Sequence, residues 1–249
     1  MVNLRRNVIK HKLQNNEKTL NIMGLANADQ IDLVGPLDFD GVWIEAEHGG
    51  VDFADISDLT RACDLWGKTS ITRVHQNEAG VIYRTLDRGS QSICVPHVNT
   101  AEEAKNVVNA GKFAPIGNRG MATSRQGYGV EDYFFKANDE SMLIVLIEDI
   151  EAVKNLDEIL EVEGIDVFYV APNDLAATMG FIGRSGEKKV LDTISSTLQR
   201  IVDSGRTAGT LAAPQNIDHY LDIGVNCISI NIQSFLFSGI ESVAKKIRG

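Results

Sequence analysis

Short apolar runs alternate with amphipathic stretches along most of the chain. Eight of the runs predict strands: 19–25, 41–47, 70–74, 92–96, 143–147, 167–171, 207–211 and 227–230. Most are continuously apolar instead of alternating, as expected of parallel strands covered on both faces. The stretches between them predict helices. Residues 52–66 place apolar side chains at helical spacing. Thr100 with Glu103 forms a capping box opening a helix over 101–110, which Gly111 can end. Residues 151–160 and 187–204 give two more, and Gly205 and Gly224 fall where a helix should stop and a strand begin. Eight such alternations in 249 residues predict an α/β protein with a closed (β/α)8 barrel, a TIM barrel, over an open doubly wound sheet. The open sheet would want GxGxxG after its first strand, where this chain has GLANADQ. No linker-like or low-complexity segment interrupts the pattern, so residues 1–249 are expected to form one domain. The longest irregular stretch, 116–129, comes after the fourth strand and is expected to serve as an active-site loop.

Charge narrows the partners. With 24 Lys and Arg against 34 Asp and Glu, the net charge is −10. That argues against nucleic acid and anionic membrane, which require a basic patch, but leaves small anionic substrates open. Cys63, Cys94 and Cys227 are odd in number and form no CxxC. Cys94 and Cys227 sit in apolar runs and are expected as small buried hydrophobes, so a reducing cytoplasm fits best. The N-terminal MVNLRRNVIKHKLQNNEK lacks the apolar core of a signal peptide. No run of about 18 apolar residues exists to span a membrane.

In a barrel of this kind chemistry collects at the C-terminal ends of the strands. Strand two ends in Glu45-Ala46-Glu47-His48, strand three at Arg73 and strand four at Pro96-His97. Strand five runs into Glu148-Asp149, strand six into Asn173-Asp174, and strand eight ends at Asn231. A carboxylate after five apolar residues is costly to desolvate unless it meets a cation. Two on adjacent strands repel each other without one. Glu148 and Asp174 stand in that relation, and hard oxygen ligands favour Mg2+ or Mn2+ over structural zinc. The other reading is that each caps the helix that follows, as Asp174 in NDLAA could do. His48 is either a hydrogen-bonded rim residue or, in company with Glu45, Glu47 and Arg73, a general base. Arg73 is either an ion-pair partner or a binder of a carboxylate or oxyanion. His75 and His97 are expected to be structural or rim residues. Asp87 ends a helical stretch, where its charge opposes the helix dipole, and this points to a functional reason for it. No lysine lies inside a predicted strand or at its C-terminal end. Schiff-base chemistry, which needs a buried lysine, is therefore disfavoured.

Three segments, FDGVWIEAEHG, TLDRGSQSICVPHVNTAEEAKNVVNAGKFAPIGNRGMA, and the run from IEDIEAVKNLDEILEVEGID to FYVAPNDLAATMG, resemble the HpcH/HpaI aldolase family. The resemblance extends over nearly the whole chain. It implies a TIM barrel of the phosphoenolpyruvate/pyruvate-domain type. The family pattern sets a metal-binding Glu and Asp 26 residues apart, matched here by Glu148 and Asp174 (174 − 148 = 26). The implied cofactor is a divalent cation, Mg2+, Mn2+ or Co2+. Pyruvate or another 2-oxo acid would chelate it, and the metal would polarise the carbonyl and stabilise the enolate. By the same resemblance Arg73 contacts the keto oxygen. His48, paired with Asp87, acts as acid/base at the aldehyde. The backbone of Ala171-Pro172-Asn173 holds the carboxylate, Glu47 positions metal-bound water, and Arg119 shapes the active-site loop. The implied partners are a small 2-oxo acid and an aldehyde. The implied assembly is a homo-oligomer, a hexamer, with the apolar C-terminal segment 234–247 at a subunit interface.

The chain departs from the family pattern at four places. Leu146 stands for the usual Gln, Ala171 for Gly, Glu45 for Asp and Gln233 for an Asp. Two residues before Glu148 on the same strand, Leu146 should point into the barrel near the base of the site. Four functions compete: a carbon–carbon lyase releasing pyruvate from a 4-hydroxy-2-oxo acid; a decarboxylase of oxaloacetate-type 2-oxo diacids using the same enolate; citrate-lyase-β-like acyl-CoA chemistry, which would want a basic surface; and an inactive binding barrel.

Overall fold

The protein, described here as a computed structural model over residues 2–249, is built on a closed barrel of eight parallel strands in sequence order. They are β1 Thr19–Met23, β2 Gly41–Glu45, β3 Thr69–Arg73, β4 Ser92–Val95, β5 Met142–Ile147, β6 Val167–Val170, β7 Ala208–Ala212 and β8 Cys227–Asn231. The ring closes where β1 pairs with β8, from Thr19 opposite Cys227 to Met23 opposite Asn231. All eight predicted runs are strands. Several end earlier than predicted; β2 stops at Glu45, which leaves Glu47 and His48 on the loop beyond it.

Strand burial follows from the two-layer surroundings. In β5, Leu143, Val145 and Ile147 pack outward against the helices, while Met142, Ile144 and Leu146 point inward. Inside, they meet Trp43, Ile71, Cys94, Val167, Tyr169 and Cys227, so the lumen is a packed core. Gly209 on β7 makes room for this packing, since a Cβ there would lie 2.6 Å from the Tyr169 ring. All three cysteines are buried and unpaired.

The basic N-terminal segment forms an unpredicted helix, Val8–Gln14, that closes the barrel floor. Its Ile9 and Leu13 enter the lumen cluster. Asn7 caps it by accepting from the Lys10 amide and ties it down by donating to Gln91 O, Ser92 Oγ and Glu140 O. Two lysines are buried in this floor: Lys10 and Lys112 both donate to the carbonyls of Ser141 and Asn138.

Helices fall largely where the pattern places them. The capping box of Thr100 and Glu103 opens Ala101–Gly111 with both of its hydrogen bonds. Lys188–Asp203 ends before Gly205, and Gly224 ends Ile217–Ile223, each glycine at a positive φ. The predicted 151–160 helix breaks at Asn155 into Ile150–Lys154 and Leu156–Leu160. The last helix, Ile232–Arg248, buries none of its residues. Among the described residues no helix is long and apolar enough to cross a membrane.

The expectation for residues 116–129 is overturned. The stretch follows the helix Ala101–Gly111, not β4 directly, and leads through Tyr133–Glu140 into the start of β5. Helices of such a barrel run back against the strands, so this loop lies at the N-terminal rim. Its contacts agree. Arg119 binds Asp87, Arg125 binds Asp64 and Thr60, and Gln126 donates to the carbonyls of Gly89 and Ser90.

Candidate active site

A cleft of about 580 Å³ opens over the C-terminal strand ends and is lined by residues from β1, β2, β3, β5, β6, β7 and β8 and the loops that follow them. A larger hollow, about 660 Å³, lies outside the barrel beside the helices Ala101–Gly111 and Leu156–Leu160 and contains no strand-end group. The chemistry belongs to the first of these.

The capping alternative for the two carboxylates does not hold. The helix after β5 is capped by Asp149, whose side chain accepts from the Glu151 amide. The helix after β6, Pro172–Thr178, has Ala171 at its cap with no side-chain cap bond. Glu148 and Asp174 are therefore both released from that role. Glu148 is 1% exposed, just behind the cleft lining that includes Asp174. Burial pushes its pKa up; the His97 amide and imidazole oppose this, and Asp174 and Glu47 add to it. One oxygen, Oε1, accepts from the His97 amide at 2.8 Å, and among the described residues Oε2 meets no protein donor. Beside it Glu47 Oε2 is buried without a hydrogen-bond partner; Arg73 Nη1 lies 3.1 Å away as an ion pair, off the hydrogen-bond direction. A buried carboxylate with a free oxygen, and a second orphaned one nearby, fit a divalent ion and its water. Among the described residues no three His, Cys, Asp or Glu side chains form a metal cluster. Two protein ligands leave the other coordination positions to water and a chelating ligand.

On the opposite side of the mouth, Glu45 organises four donors. Its Oε2 accepts from Arg73 Nε at 2.8 Å and Trp43 Nε1 at 3.3 Å. Its Oε1 accepts from the amides of Glu47 and His48 at 2.9 and 3.0 Å. One carboxylate thus fixes both the guanidinium and the turn that carries His48. Burial alone would lower the Arg73 pKa, but the charge and hydrogen bond of Glu45, with Glu47 behind them, raise it, so the guanidinium stays charged. The His48 side chain is exposed at the cleft edge, its Nε2 3.9 Å from Glu47 Oε2.

Most of the expected site residues meet here. His48, Arg73, Leu146, Ala171, Pro172, Asn173 and Asp174 line the cleft, with Glu47 and Glu148 directly behind. The backbone amides of Asn173 and Asp174 begin their helix without a protein acceptor. Leu146 is 1% exposed and belongs to the lumen core as well as to the cleft floor.

Asp87 and Arg119 are not part of this arrangement. Asp87 ends the helix Ala79–Asp87, just before β4 begins, and pairs with Arg119 at 2.7 Å. Both stand at the N-terminal rim, and within one chain Asp87 cannot reach His48. His97, expected only as a structural or rim residue, bridges the site carboxylates: its Nδ1 is 3.4 Å from Glu148 Oε1 and its Nε2 3.7 Å from Glu47 Oε1. It does so from a left-handed backbone, φ 52°, unusual for a non-glycine residue and typical of functional positions. Trp43 and Tyr169, with ring centroids 5.0 Å apart, complete the floor, and sequence reasoning missed them because both look like ordinary core residues.

The chain is similar to known proteins in sequence and in fold. The family model described as HpcH/HpaI aldolase/citrate lyase matches residues 21–238. The 2-keto-3-deoxy-L-rhamnonate aldolase of Escherichia coli (strain K12) is 31% identical over 239 residues, 93% of this chain and 89% of that protein. The fold is shared with an HpcH/HpaI aldolase/citrate lyase family protein from Burkholderia cenocepacia J2315, at a TM-score of 0.91 and 24% identity over 98% of this chain and all of that one. A more distant structure, the citrate lyase β subunit of M. tuberculosis complexed with oxaloacetate and magnesium, superposes at 0.53 and 14% identity over 86% of this chain and 92% of that one.

Proposed function

The chain belongs to the HpcH/HpaI aldolase/citrate lyase family, and from that premise we propose that it is a divalent-metal-dependent aldolase, cleaving a 4-hydroxy-2-oxo acid into pyruvate and an aldehyde. The observation that carries this reading is the pair Glu148 and Asp174. Glu148 directly follows β5 and Asp174 lies in the first turn of the helix after neighbouring β6, and among the described residues neither caps a helix nor pairs with a lysine or arginine. Glu148 and Asp174 would hold Mg2+, Mn2+ or Co2+. When bound, such an ion polarises the substrate carbonyl and stabilises the enolate left by carbon–carbon cleavage.

The remaining roles fall to the chain's own groups. The free amides of Asn173 and Asp174 suit the substrate carboxylate, beside Ala171 and Pro172. Arg73, held by Glu45, suits the keto oxygen. His48 at the open edge takes the proton from the C4 hydroxyl, its Nε2 3.9 Å from Glu47 Oε2. The exposed C-terminal helix supports a homo-oligomer, a hexamer by family resemblance. It presents Phe235, Leu236, Phe237, Ile240, Val243 and Ile247 to solvent, an apolar face that another copy of the chain would cover.

Chelation should abolish pyruvate release from 4-hydroxy-2-oxo acids, and added divalent metal should restore it. Glu148→Gln and Asp174→Asn should lose metal affinity in calorimetry while the barrel stays folded. His48→Ala should slow cleavage by ~10²–10⁴-fold and slow pyruvate methyl-proton exchange less. Full activity after exhaustive chelation would refute the reading.

A further inference from the structure

The cleft over the barrel does not end at the metal-site residues. A second hollow of about 290 Å³ adjoins it and shares Pro172, Asn173, Leu211 and Asn231 with it. From the shared wall the surface continues past Ala212 and Ala213 to Leu191, Ile194 and Tyr220. Together they form one groove, long enough for a substrate with a tail beyond its reacting carbons.

The charge along that groove is distributed unevenly. Among the described residues, Arg73 is the only lysine or arginine in either lining. It is already matched by Glu45 and Glu47, at 2.8 and 3.1 Å. Among the described residues the second hollow is lined by no charged side chain. Its polar groups are neutral, and two are already engaged: Asn216 Oδ1 accepts the Ala213 amide, and Asn231 Oδ1 accepts the Gln233 amide. Met23, Leu25, Val51, Leu146 and Leu211 supply apolar wall in the first. The carboxylate of Asp174 at the mouth would repel a further anion.

Building on the metal-aldolase reading above, we infer that this site selects 2-oxo monoacids whose distal end is uncharged, and rejects diacids. The single carboxylate of the substrate is accommodated at the start of the Pro172–Thr178 helix. A second one, at the far end of the tail, would leave water for a groove that offers it neutral dipoles and apolar surface but no cation.

The test is calorimetric titration of the intact, metal-loaded protein with pyruvate, 2-oxooctanoate and 2-oxooctanedioate. The two longer acids differ only in the terminal group. The monoacid is expected to bind on the order of 10–100-fold more tightly than the diacid. Leu211→Lys, placed in the wall common to both hollows, should narrow or reverse that ratio. Ala213→Lys, farther along the groove, asks the same should the first variant not fold. Equal or tighter binding of the diacid by the unmodified protein, with pyruvate binding intact, overturns the tail selectivity alone. Failure of pyruvate itself to bind overturns the metal-site reading and the inference with it.

Discussion

Replacement of Glu45 by Gln isolates the one carboxylate on which Arg73 and the His48 turn both depend. An amide side chain has a single acceptor oxygen, whereas Glu45 accepts on both: from Arg73 Nε and Trp43 Nε1 on one, and from the amides of Glu47 and His48 on the other. Whichever way the amide turns, its NH2 group faces two donors. If it turns toward Arg73, a charge-assisted bond worth about 1.5–3 kcal/mol is lost. If it turns toward the loop, two backbone amides lose their acceptor and the His48 turn loosens. Arg73 keeps its ion pair with Glu47 in either case, which limits the damage. A loss of about 1.5–3 kcal/mol in the transition state lowers kcat/KM for pyruvate release by roughly 10–150-fold. Metal affinity should not change, because Glu45 touches neither Glu148 nor Asp174. Glu45→Asp restores the charge on a shorter arm and should recover to within about tenfold of the unmodified protein. Initial rates with saturating metal, alongside a metal titration of each variant, decide the matter. A Gln variant within twofold of the parent, or one whose metal affinity falls as far as its activity, would show that Glu45 does not position Arg73 and His48.

Three further outcomes are expected. Leu146→Gln puts an amide into the lumen core beside Trp43 and Tyr169 and should lower the unfolding free energy by about 1–3 kcal/mol; unchanged stability with a three- to tenfold gain in kcat/KM would instead make position 146 a substrate contact. Burial lowers the Lys112 pKa to about 7, with the neighbouring Lys10 adding to the drop and Asp166 opposing it. The unfolded chain, with a lysine pKa near 10.5, then binds more protons between pH 7 and 10.5, so stability should rise with pH across that window by on the order of a few kcal/mol. Lys112→Met, which leaves Lys10 donating to the same two carbonyls, should flatten that rise in urea titrations, and an unchanged slope would mean that Lys112 is not its source. In light scattering at micromolar concentration the protein should be oligomeric, and Ile240→Glu with Val243→Glu should dissociate it; a monomeric parent would refute the role given to the C-terminal helix.

What could be read from the chain, and what could not, divides along physical lines. Continuous apolar runs reveal strands buried on both faces, and all eight emerge as such. The capping box at Thr100 is a local hydrogen-bond pattern and survives intact. The floor helix Val8–Gln14 is short and rich in polar residues, and only the barrel beneath it gives it a buried face. Residues 116–129 depart from expectation for a different reason. Their nearness in sequence to β4 says nothing about which rim they occupy; that depends on whether a segment precedes or follows its helix. The helix over 101–110 was itself legible, and with it the route of the chain back to the N-terminal rim. His97 gave no comparable signal, because its approach to Glu148 and Glu47 depends on a left-handed turn that only the folded loop defines.

The choice between Glu148 and its neighbour Asp149 shows how strand parity and capping together single out a metal ligand. Along β5 the inward positions are Met142, Ile144 and Leu146, and the next of the same parity is 148. A carboxylate there continues the lumen-facing row and is carried to the mouth of the barrel. Position 149 has the opposite parity and meets the first free amides of the following helix, which Asp149 satisfies through the Glu151 N–H. The same parity runs through Trp43, Glu45 and Glu47 from β2 into its loop, and through Ile71 and Arg73 on β3. On β2, β3 and β5 the last lumen-facing core residues, Trp43, Ile71 and Leu146, are each followed at the next position of the same parity by a charged one, Glu45, Arg73 and Glu148. Asp174 is the exception, reaching the mouth from the first turn of a helix instead of from a strand. Its parity cannot be read from β6, and its assignment therefore rests on the absence of a cap bond and on the 26-residue spacing to Glu148. Exchanging the two acids of β5, as Glu148→Asp with Asp149→Glu, should therefore disturb metal binding through the first substitution and helix capping through the second, two losses that separate metal titration and thermal unfolding can each detect.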